Sequence, residues 1–160
     1  MEGLLGRSLG PYQLIERLPA AGPYLAYRAV DRRLFNRPVG VAVFEQPPGD
    51  ADFFGRFERG AEALTELRHP NILPVQDFGE QERLAYVVSP ALAGETLAAL
   101  LGRPHPLEEA LRLVAALCEA LDYAHRRGLA HGGIAPDTIA LANLPPGEET
   151  LHDAWPFLAD

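Results

Sequence analysis

The residues that could do chemistry gather in one polar loop, residues 131–139, which follows a long apolar helix pattern. The loop opens with His131, continues through two adjacent glycines and reaches Asp137 and Thr138. A histidine near a carboxylate could serve as a general acid and base or bind a metal ion. However, the histidine spacing matches no common metal-ligand pattern, and Asp137 beside Thr138 is typical of loop and capping positions. The loop alone therefore assigns no reaction.

Composition limits the classes of function. Of the 160 residues, 48% are hydrophobic, so a packed core is feasible. The formal net charge of −8 disfavours nucleic acid or an anionic membrane as the main partner. The single cysteine, Cys118, excludes an intrachain disulfide, and its apolar helical context predicts a core position. With no signal peptide or long apolar run visible, we expect a soluble cytoplasmic protein.

Hydrophobic periodicity predicts an α+β fold in two domains, residues 1–93 and 94–160. Five strands are expected in the first domain: Tyr12–Leu18, Tyr24–Val30, Val39–Phe44, Ile72–Phe78 and Leu84–Val88. One helix, Phe53–Leu67, is inserted after the third strand. The second domain is expected to contain two helices and a small hairpin: Thr96–Leu101, Pro106–Arg127, and strands Ile139–Ala142 and Thr150–His152.

Several motifs, in order, resemble those of the eukaryotic-like (bacterial Ser/Thr) protein kinases. Residues 37–43, Arg-Pro-Val-Gly-Val-Ala-Val, resemble that family's third strand, whose usual form is R-P-V-A-V-K-V. Residues 67–72, Leu-Arg-His-Pro-Asn-Ile, match the L-x-H-P-N-I segment that follows the family's αC helix. Residues 123–139 resemble the end of its αE helix and its catalytic loop. The resemblance implies a five-stranded antiparallel N-lobe sheet with one αC-type helix, followed by a helical C-lobe.

The same resemblance shows where this sequence departs from the residues that transfer phosphate in the family. The phosphate-pairing lysine falls on Ala42, and the αC glutamate falls on Gly60. In the catalytic loop, Gly133 stands for the aspartate, Ala135 for the lysine and Thr138 for the metal-binding asparagine. We therefore expect no catalytic residues and read the chain as a degenerate kinase-like domain, a pseudokinase.

Two further features of the sequence agree with this expectation. All 14 basic residues are arginine, so no lysine can pair with phosphate under any alignment within this sequence. The turn at the position of the family's glycine-rich loop has Gly22 as its only glycine, between Pro19 and Pro23. Proline has no N–H to offer a phosphate.

The resemblance also implies a place where adenine could bind through backbone groups. Ser89 would be the gatekeeper, Pro90 would offer a carbonyl, and Leu92 would offer an N–H and a carbonyl. The slot would be lined by Leu18, Ala26, Gly40 and Ala140. No cofactor is expected, and weak ATP or magnesium binding stays an alternative. Asp153, in a segment resembling L-x-D-F-G, would be the metal-binding aspartate; a plain surface aspartate is the other interpretation.

The chain ends at Asp160, just after that segment, so we expect a C-terminally truncated C-lobe with one face of the long helix uncovered. A protein partner or a second copy is expected to cover this face, which contains Leu111, Val114, Leu117 and Leu121. The preferred hypothesis is a catalytically inactive regulatory or protein-binding module in bacterial signalling. The alternatives are a residual nucleotide binder, a kinase active by an unconventional route, and a decayed gene product.

Overall fold

The computed structural model of the chain describes residues 3–20, 24–91, 96–142 and 155–158. These residues form two compact units. The first contains the described residues up to 66 together with 74–91, and the second contains 67–73 together with the described residues from 96 onward. The predicted domain boundary, between residues 93 and 94, lies outside the described residues.

The first unit is built on a six-stranded antiparallel sheet with the spatial order β1-β2-β3-β4-β6-β5. In chain order its strands are β1 (Ser8–Leu9), β2 (Tyr12–Leu18), β3 (Leu25–Asp31), β4 (Arg37–Glu45), β5 (Asp77–Gln81) and β6 (Leu84–Pro90). Helix α1 (Phe53–Thr65) follows β4. The predicted α+β fold, with one helix inserted in an antiparallel sheet, is confirmed.

One predicted strand has the wrong bounds. Strand β5 begins at Asp77, and not at Ile72, because residues 67–73 belong to the second unit. Pro70 and Pro74 also have no N–H to donate to a ladder. The short strand β1, which pairs with β2, was not predicted.

Alternation along the strands separates a core face from an outer face. In β4, Val39, Val41 and Val43 are buried, while Gly40 and Ala42 between them are only half-buried and lie on the other face. One residue that precedes the sheet and buried neighbours from the other strands complete the core: Leu4, Leu9, Tyr12, Leu14, Tyr27, Ala29, Leu84, Tyr86 and Val88.

Side chains tie the two edge strands of this sheet together. The Gln81 amide in β5 accepts a hydrogen bond from the Gly10 N–H at 3.0 Å and donates one to the Ser8 carbonyl at 3.2 Å. The Tyr12 hydroxyl donates to the Asp77 carboxylate. The sheet is therefore curved, so that β1 and β2 at one edge lie close to β5 at the opposite edge.

The second unit contains α2 (Leu97–Leu100), α3 (Leu107–His125), a 3₁₀ turn (Pro136–Thr138), β7 (Ile139–Ala142) and β8 (Trp155–Leu158). Helix α3 carries Glu108 and Glu109 in its first turn, where acidic groups suit the helix dipole. It stops before Gly128, whose φ of 77° ends a helix readily. No helix in the described ranges is long and apolar enough to cross a membrane.

The predicted hairpin partner is wrong. Strand β7 pairs with β8, Ile139 lying opposite Leu158, while the predicted partner Thr150–His152 lies outside the described residues. The position predicted for Cys118 is also wrong, because this cysteine is exposed. The apolar arc of α3 is broader than its packed face, which buries Leu113, Ala120 and Ala124.

Candidate functional site

The residues predicted to surround adenine in the first unit share the outer face of the sheet. Strand register places Leu18 opposite Ala26 and Ala26 opposite Ala42. One row along, Gly40 lies opposite Ser89. A Cβ on Gly40 would lie 3.0 Å from the Ser89 hydroxyl oxygen, so glycine is the residue that fits there without a shift. The predicted adenine contacts on this face are uncharged, and the nearest charged pair is Arg28, opposite Gly40, with Glu16 at 2.8 Å.

The remaining predicted adenine contacts are placed elsewhere. Pro90 ends β6 and pairs with Val39. Ala140 lies in β7 of the second unit, where it forms a bridge with Thr96. Leu92 and Asp153 lie outside the described residues. The adenine and metal assignments therefore stay predictions.

Aromatic rings connect α1 to the sheet, close to the position where the resemblance expects a lysine–glutamate ion pair. The ring of Phe44 in β4 lies 5.6 Å from that of Phe57 in α1 and 5.5 Å from that of Tyr24. Phe57 in turn lies 6.2 Å from Phe53. Phe44 comes two residues after Ala42 and shares its face of β4. Packing of rings thus positions α1.

The expected partner of the missing lysine has no side chain. Gly60 is exposed on α1, and apart from its own helix no described atom lies within 4 Å of a Cβ built on it. Ala61, the next residue, is the buried position of this helix. Neither Ala42 nor Gly60 can carry charge, so these two positions cannot hold a phosphate electrostatically.

In the loop of residues 131–139, the Thr138 hydroxyl is engaged within the loop itself. It accepts a hydrogen bond from the Ala135 N–H at 3.0 Å and lies 2.9 Å from the Ala135 carbonyl, to which it can donate. Thr138 is 5% exposed. The Gly133 N–H donates to Nδ1 of His131 at 3.3 Å. The polar side chains of this loop therefore stabilise its shape.

The segment that matches L-x-H-P-N-I is attached to α3 through Tyr123. The Arg68 backbone N–H donates to the Tyr123 hydroxyl at 2.9 Å, and the His69 ring lies 5.3 Å from the Tyr123 ring. The Arg127 guanidinium lies 3.7 Å from the centre of the same ring, a cation–π contact. Two of the motifs that carry the resemblance thus meet at one side chain.

A cluster of charged side chains lies around Arg33 at one end of the first unit's sheet. Arg33 donates to Asp31 at 3.1 and 3.2 Å and to the Tyr12 hydroxyl at 2.6 Å, and it lies 3.4 Å from Asp77. The hydrogen bond from Arg33 lowers the pKa of Asp31, and burial together with the bond to Asp77 raises the pKa of Tyr12. Each charge has an opposite partner, which is typical of a structural network.

No group of acidic, histidine or cysteine side chains suited to a metal ion occurs among the residues that the structure describes. The predicted site residues Gly133, Ala135 and Thr138 lie together in one loop. Sequence reasoning missed the aromatic contacts of α1; the one available signal was Phe44 on the same side of its strand as Ala42.

The two units together have the protein-kinase fold. In a double-mutant form, the solved kinase domain of PknI from Mycobacterium tuberculosis aligns with all of this chain with a TM-score of 0.80 and 28% sequence identity. The chain covers 62% of that kinase domain. The antiparallel sheet with its single helix and the helical second unit were both predicted from the motifs, and the fold is confirmed.

The chain is a homologue of the bacterial serine/threonine protein kinases. It is 32% identical over 137 residues to PknD of Mycobacterium tuberculosis and 29% identical over 145 residues to PrkC of Bacillus subtilis. These alignments cover 84% and 88% of this chain but only 21% and 22% of the relatives. No family model matches the chain. The chain thus spans about a fifth of the length of the curated relatives that it matches.

Proposed function

We propose that this chain is a catalytically inactive, kinase-like module that acts by binding protein. The observation that carries the proposal is the side chains at the five positions of the family's catalytic groups: Ala42, Gly60, Gly133, Ala135 and Thr138. Four of them have no polar atom, and the fifth is held by hydrogen bonds inside its own loop.

Phosphoryl transfer depends on positioned charge. The family's chemistry uses metal ions, a lysine and an aspartate to hold the phosphates and orient the attacking hydroxyl. A neighbour could replace one lost group, but here the phosphate, metal and hydroxyl contacts are all affected together. Asp153 alone keeps a residue type that the family uses.

The regular packing of the first unit supports a retained function over the alternative of a decayed gene product. Alternation in β4, the twelve-residue core of the first unit and the ring contacts of α1 are consistent with one another. The apolar surface of α3 supports a binding role, because Leu111 and Val114 are 59% and 54% exposed while Leu117 and Leu121 are half-buried.

Continuous measurement of ADP release tests the proposal. The full chain is incubated with ATP and either magnesium or manganese, with and without a generic protein acceptor. We expect a rate equal to that of buffer alone under every condition. A metal-dependent release of ADP that scales with protein concentration and is lost in Asp153→Asn would contradict the proposal.

A further inference from the structure

The turn between β3 and β4 presents two apolar side chains, Leu34 and Phe35, and these two residues are called the β3–β4 tip. Leu34 is 49% exposed and Phe35 is 101% exposed, so no part of the described chain covers the Phe35 ring. Phe35 and Asn36 both have a left-handed backbone, with φ of 52° and 58°. Glycine, asparagine and aspartate suit that conformation, whereas phenylalanine adopts it at a cost. The fold therefore does not account for a phenylalanine at position 35.

Hydrogen bonds fix the base of this turn. The Leu34 N–H donates to the Asp31 carbonyl at 3.2 Å, and the Arg37 N–H donates to the Leu34 carbonyl at 3.0 Å. The Arg33 guanidinium donates to the Asp31 carboxylate at 3.1 Å and to the Tyr12 hydroxyl at 2.6 Å, which ties the turn to β2. The β3–β4 tip is therefore held in place, and these two backbone N–H groups need no water.

Two arginines without an acidic partner flank the β3–β4 tip. Arg32 and Arg37 are exposed, and within the described ranges neither has a carboxylate oxygen within 4.0 Å. Asp31 and Asp77, the carboxylates beside the turn, lie 3.1 and 3.4 Å from Arg33 instead. The apolar tip thus lies between two guanidinium groups that are free to bind an anion.

The charge of this turn has the opposite sign to that of the whole chain. Residues 31–37 contain one aspartate and three arginines, a net charge of +2, whereas all 160 residues together carry −8. Charges act over about 8 Å at physiological ionic strength, so a surface that meets the tip interacts with this turn more than with the distant acidic residues. The overall charge disfavours a membrane as the main partner, but it permits a contact made tip first.

An apolar tip between two cations matches an anionic lipid bilayer. The fully exposed Phe35 ring projects from the surface, and a bilayer can close around a projecting group without a preformed pocket. The two apolar side chains would lie at the boundary between headgroups and acyl chains. The flexible stems of Arg32 and Arg37 would let their guanidinium groups reach the lipid phosphates. A protein partner, in contrast, would need a pocket shaped for this tip.

We propose that the β3–β4 tip inserts into anionic lipid bilayers and docks the chain reversibly on a membrane surface. Binding is peripheral, because two apolar side chains bury far less surface than a membrane-spanning helix. Each flanking arginine strengthens it about fivefold. The proposal does not depend on the proposed lack of catalysis, because no residue of this turn stands at the position of one of the family's catalytic groups.

Flotation of the full chain with lipid vesicles tests the proposal. Vesicles of equal parts phosphatidylglycerol and phosphatidylcholine, at about 1 mM lipid and physiological ionic strength, should carry about half of the protein to the top of a density gradient. Vesicles of phosphatidylcholine alone should bind it at least about tenfold more weakly, because the arginines then lose their anionic partner.

Phe35→Asn separates binding from folding. Asparagine suits the left-handed backbone at this position, so the urea midpoint should stay the same or rise. Vesicle binding should fall at least about tenfold, because the ring that enters the bilayer is lost. Leu5→Asn is the matched control, since Leu5 is an apolar turn residue that is 56% exposed and lies outside residues 31–37. Its vesicle binding should stay within about twofold of the original.

Charge reversal tests the role of the flanking arginines. Arg32→Glu and Arg37→Glu should each weaken binding to the anionic vesicles at least about fivefold. Arg17→Glu is the matched control, because Arg17 is also exposed but lies five residues along β2 from Tyr12, about 16 Å away along the strand. At that distance the charge is screened, and binding should change less than about twofold.

Three results would overturn the proposal. The first is no flotation with anionic vesicles, and the second is an equal loss of binding in Phe35→Asn and Leu5→Asn. The third is a chain that self-associates in sedimentation equilibrium, with Phe35→Asn abolishing self-association while leaving vesicle binding unchanged. That result would identify a second copy, and not a bilayer, as what covers the β3–β4 tip.

Discussion

The ring of Phe44 in β4 lies 5.6 Å from the ring of Phe57 in α1, with the two planes tilted by 56°. This contact joins the helix to the sheet on the face of β4 that Ala42 shares. Family resemblance would place a lysine and a glutamate in these two elements, whereas here the elements are joined through apolar rings. The position of α1 relative to the sheet therefore depends on the packing of these rings, a contact to which neither magnesium nor nucleotide contributes.

The Phe44–Phe57 contact should be measurable as a coupling energy. Phe44→Ala and Phe57→Ala should each destabilise the protein, and their combined effect should be smaller than the sum by about 0.5–1.5 kcal/mol. Urea unfolding of the four proteins of the cycle, followed by circular dichroism, gives this value. Strict additivity would show that the two rings contribute independently.

Thr138→Val should destabilise the loop of residues 131–139. The valine keeps the shape of threonine but leaves the Ala135 N–H without its 3.0 Å partner, at a cost of about 1–3 kcal/mol. Unfolding free energies provide the measurement. Thr65→Val is the matched control, because the Thr65 hydroxyl bonds to the Glu62 carbonyl at an exposed position and its loss should cost less. Equal losses in the two variants would contradict a structural role for Thr138.

The Arg33–Asp31 pair should make stability depend on acid pH. The pKa of Asp31 is lowered in the folded protein by its hydrogen bond to Arg33. Its contribution is therefore complete above the unfolded value of about 3.9 and is lost as the pH falls through the lower folded value. Urea unfolding at successive pH values from about 6 to 2 should show a smaller acid-induced loss of stability in Asp31→Asn than in the original protein. Parallel curves for the two would show that the pair is not linked to folding.

Nucleotide should not stabilise this protein. A ligand that binds only the folded state stabilises it by RT ln(1 + L/Kd), where L is the free ligand concentration, so even weak ATP binding is detectable at millimolar concentration. We expect a change within about 1 °C at about 5 mM ATP, with or without magnesium. A rise that increases with ATP concentration and that Ala26→Phe abolishes would instead establish an adenine site on the outer face of the sheet.

Local sequence patterns predicted most of the elements, because those patterns report burial directly. Weak alternation located β2, apolar and β-branched runs bounded by turns located β3, β4 and β6, and the three-to-four residue spacing located α1 and α3. Patterns failed where long-range pairing decides the outcome. The partner of β7 is Trp155–Leu158, a choice that depends on the path of the intervening chain.

The candidate site was predictable to the extent that it consists of residue identities. Ala42, Gly60, Gly133 and Ala135 cannot carry the expected chemistry wherever their backbone lies. The ring contact of Phe44 with Phe57, in contrast, depends on the rotation of α1 relative to the sheet, which no local pattern contains. The prediction that Cys118 is buried was wrong, because the apolar residues around it form an arc on α3 that is wider than the surface packed against the helix.

Transfer of radiolabelled phosphate from ATP is the most direct test of the proposed lack of catalysis. The full chain is incubated with labelled ATP and magnesium, alone and with a generic acceptor protein, beside Asp153→Asn as the matched control. We expect the label in both proteins and in the acceptor to stay at the level of a reaction without the chain. Incorporation that requires magnesium, increases with time and disappears in Asp153→Asn would contradict it.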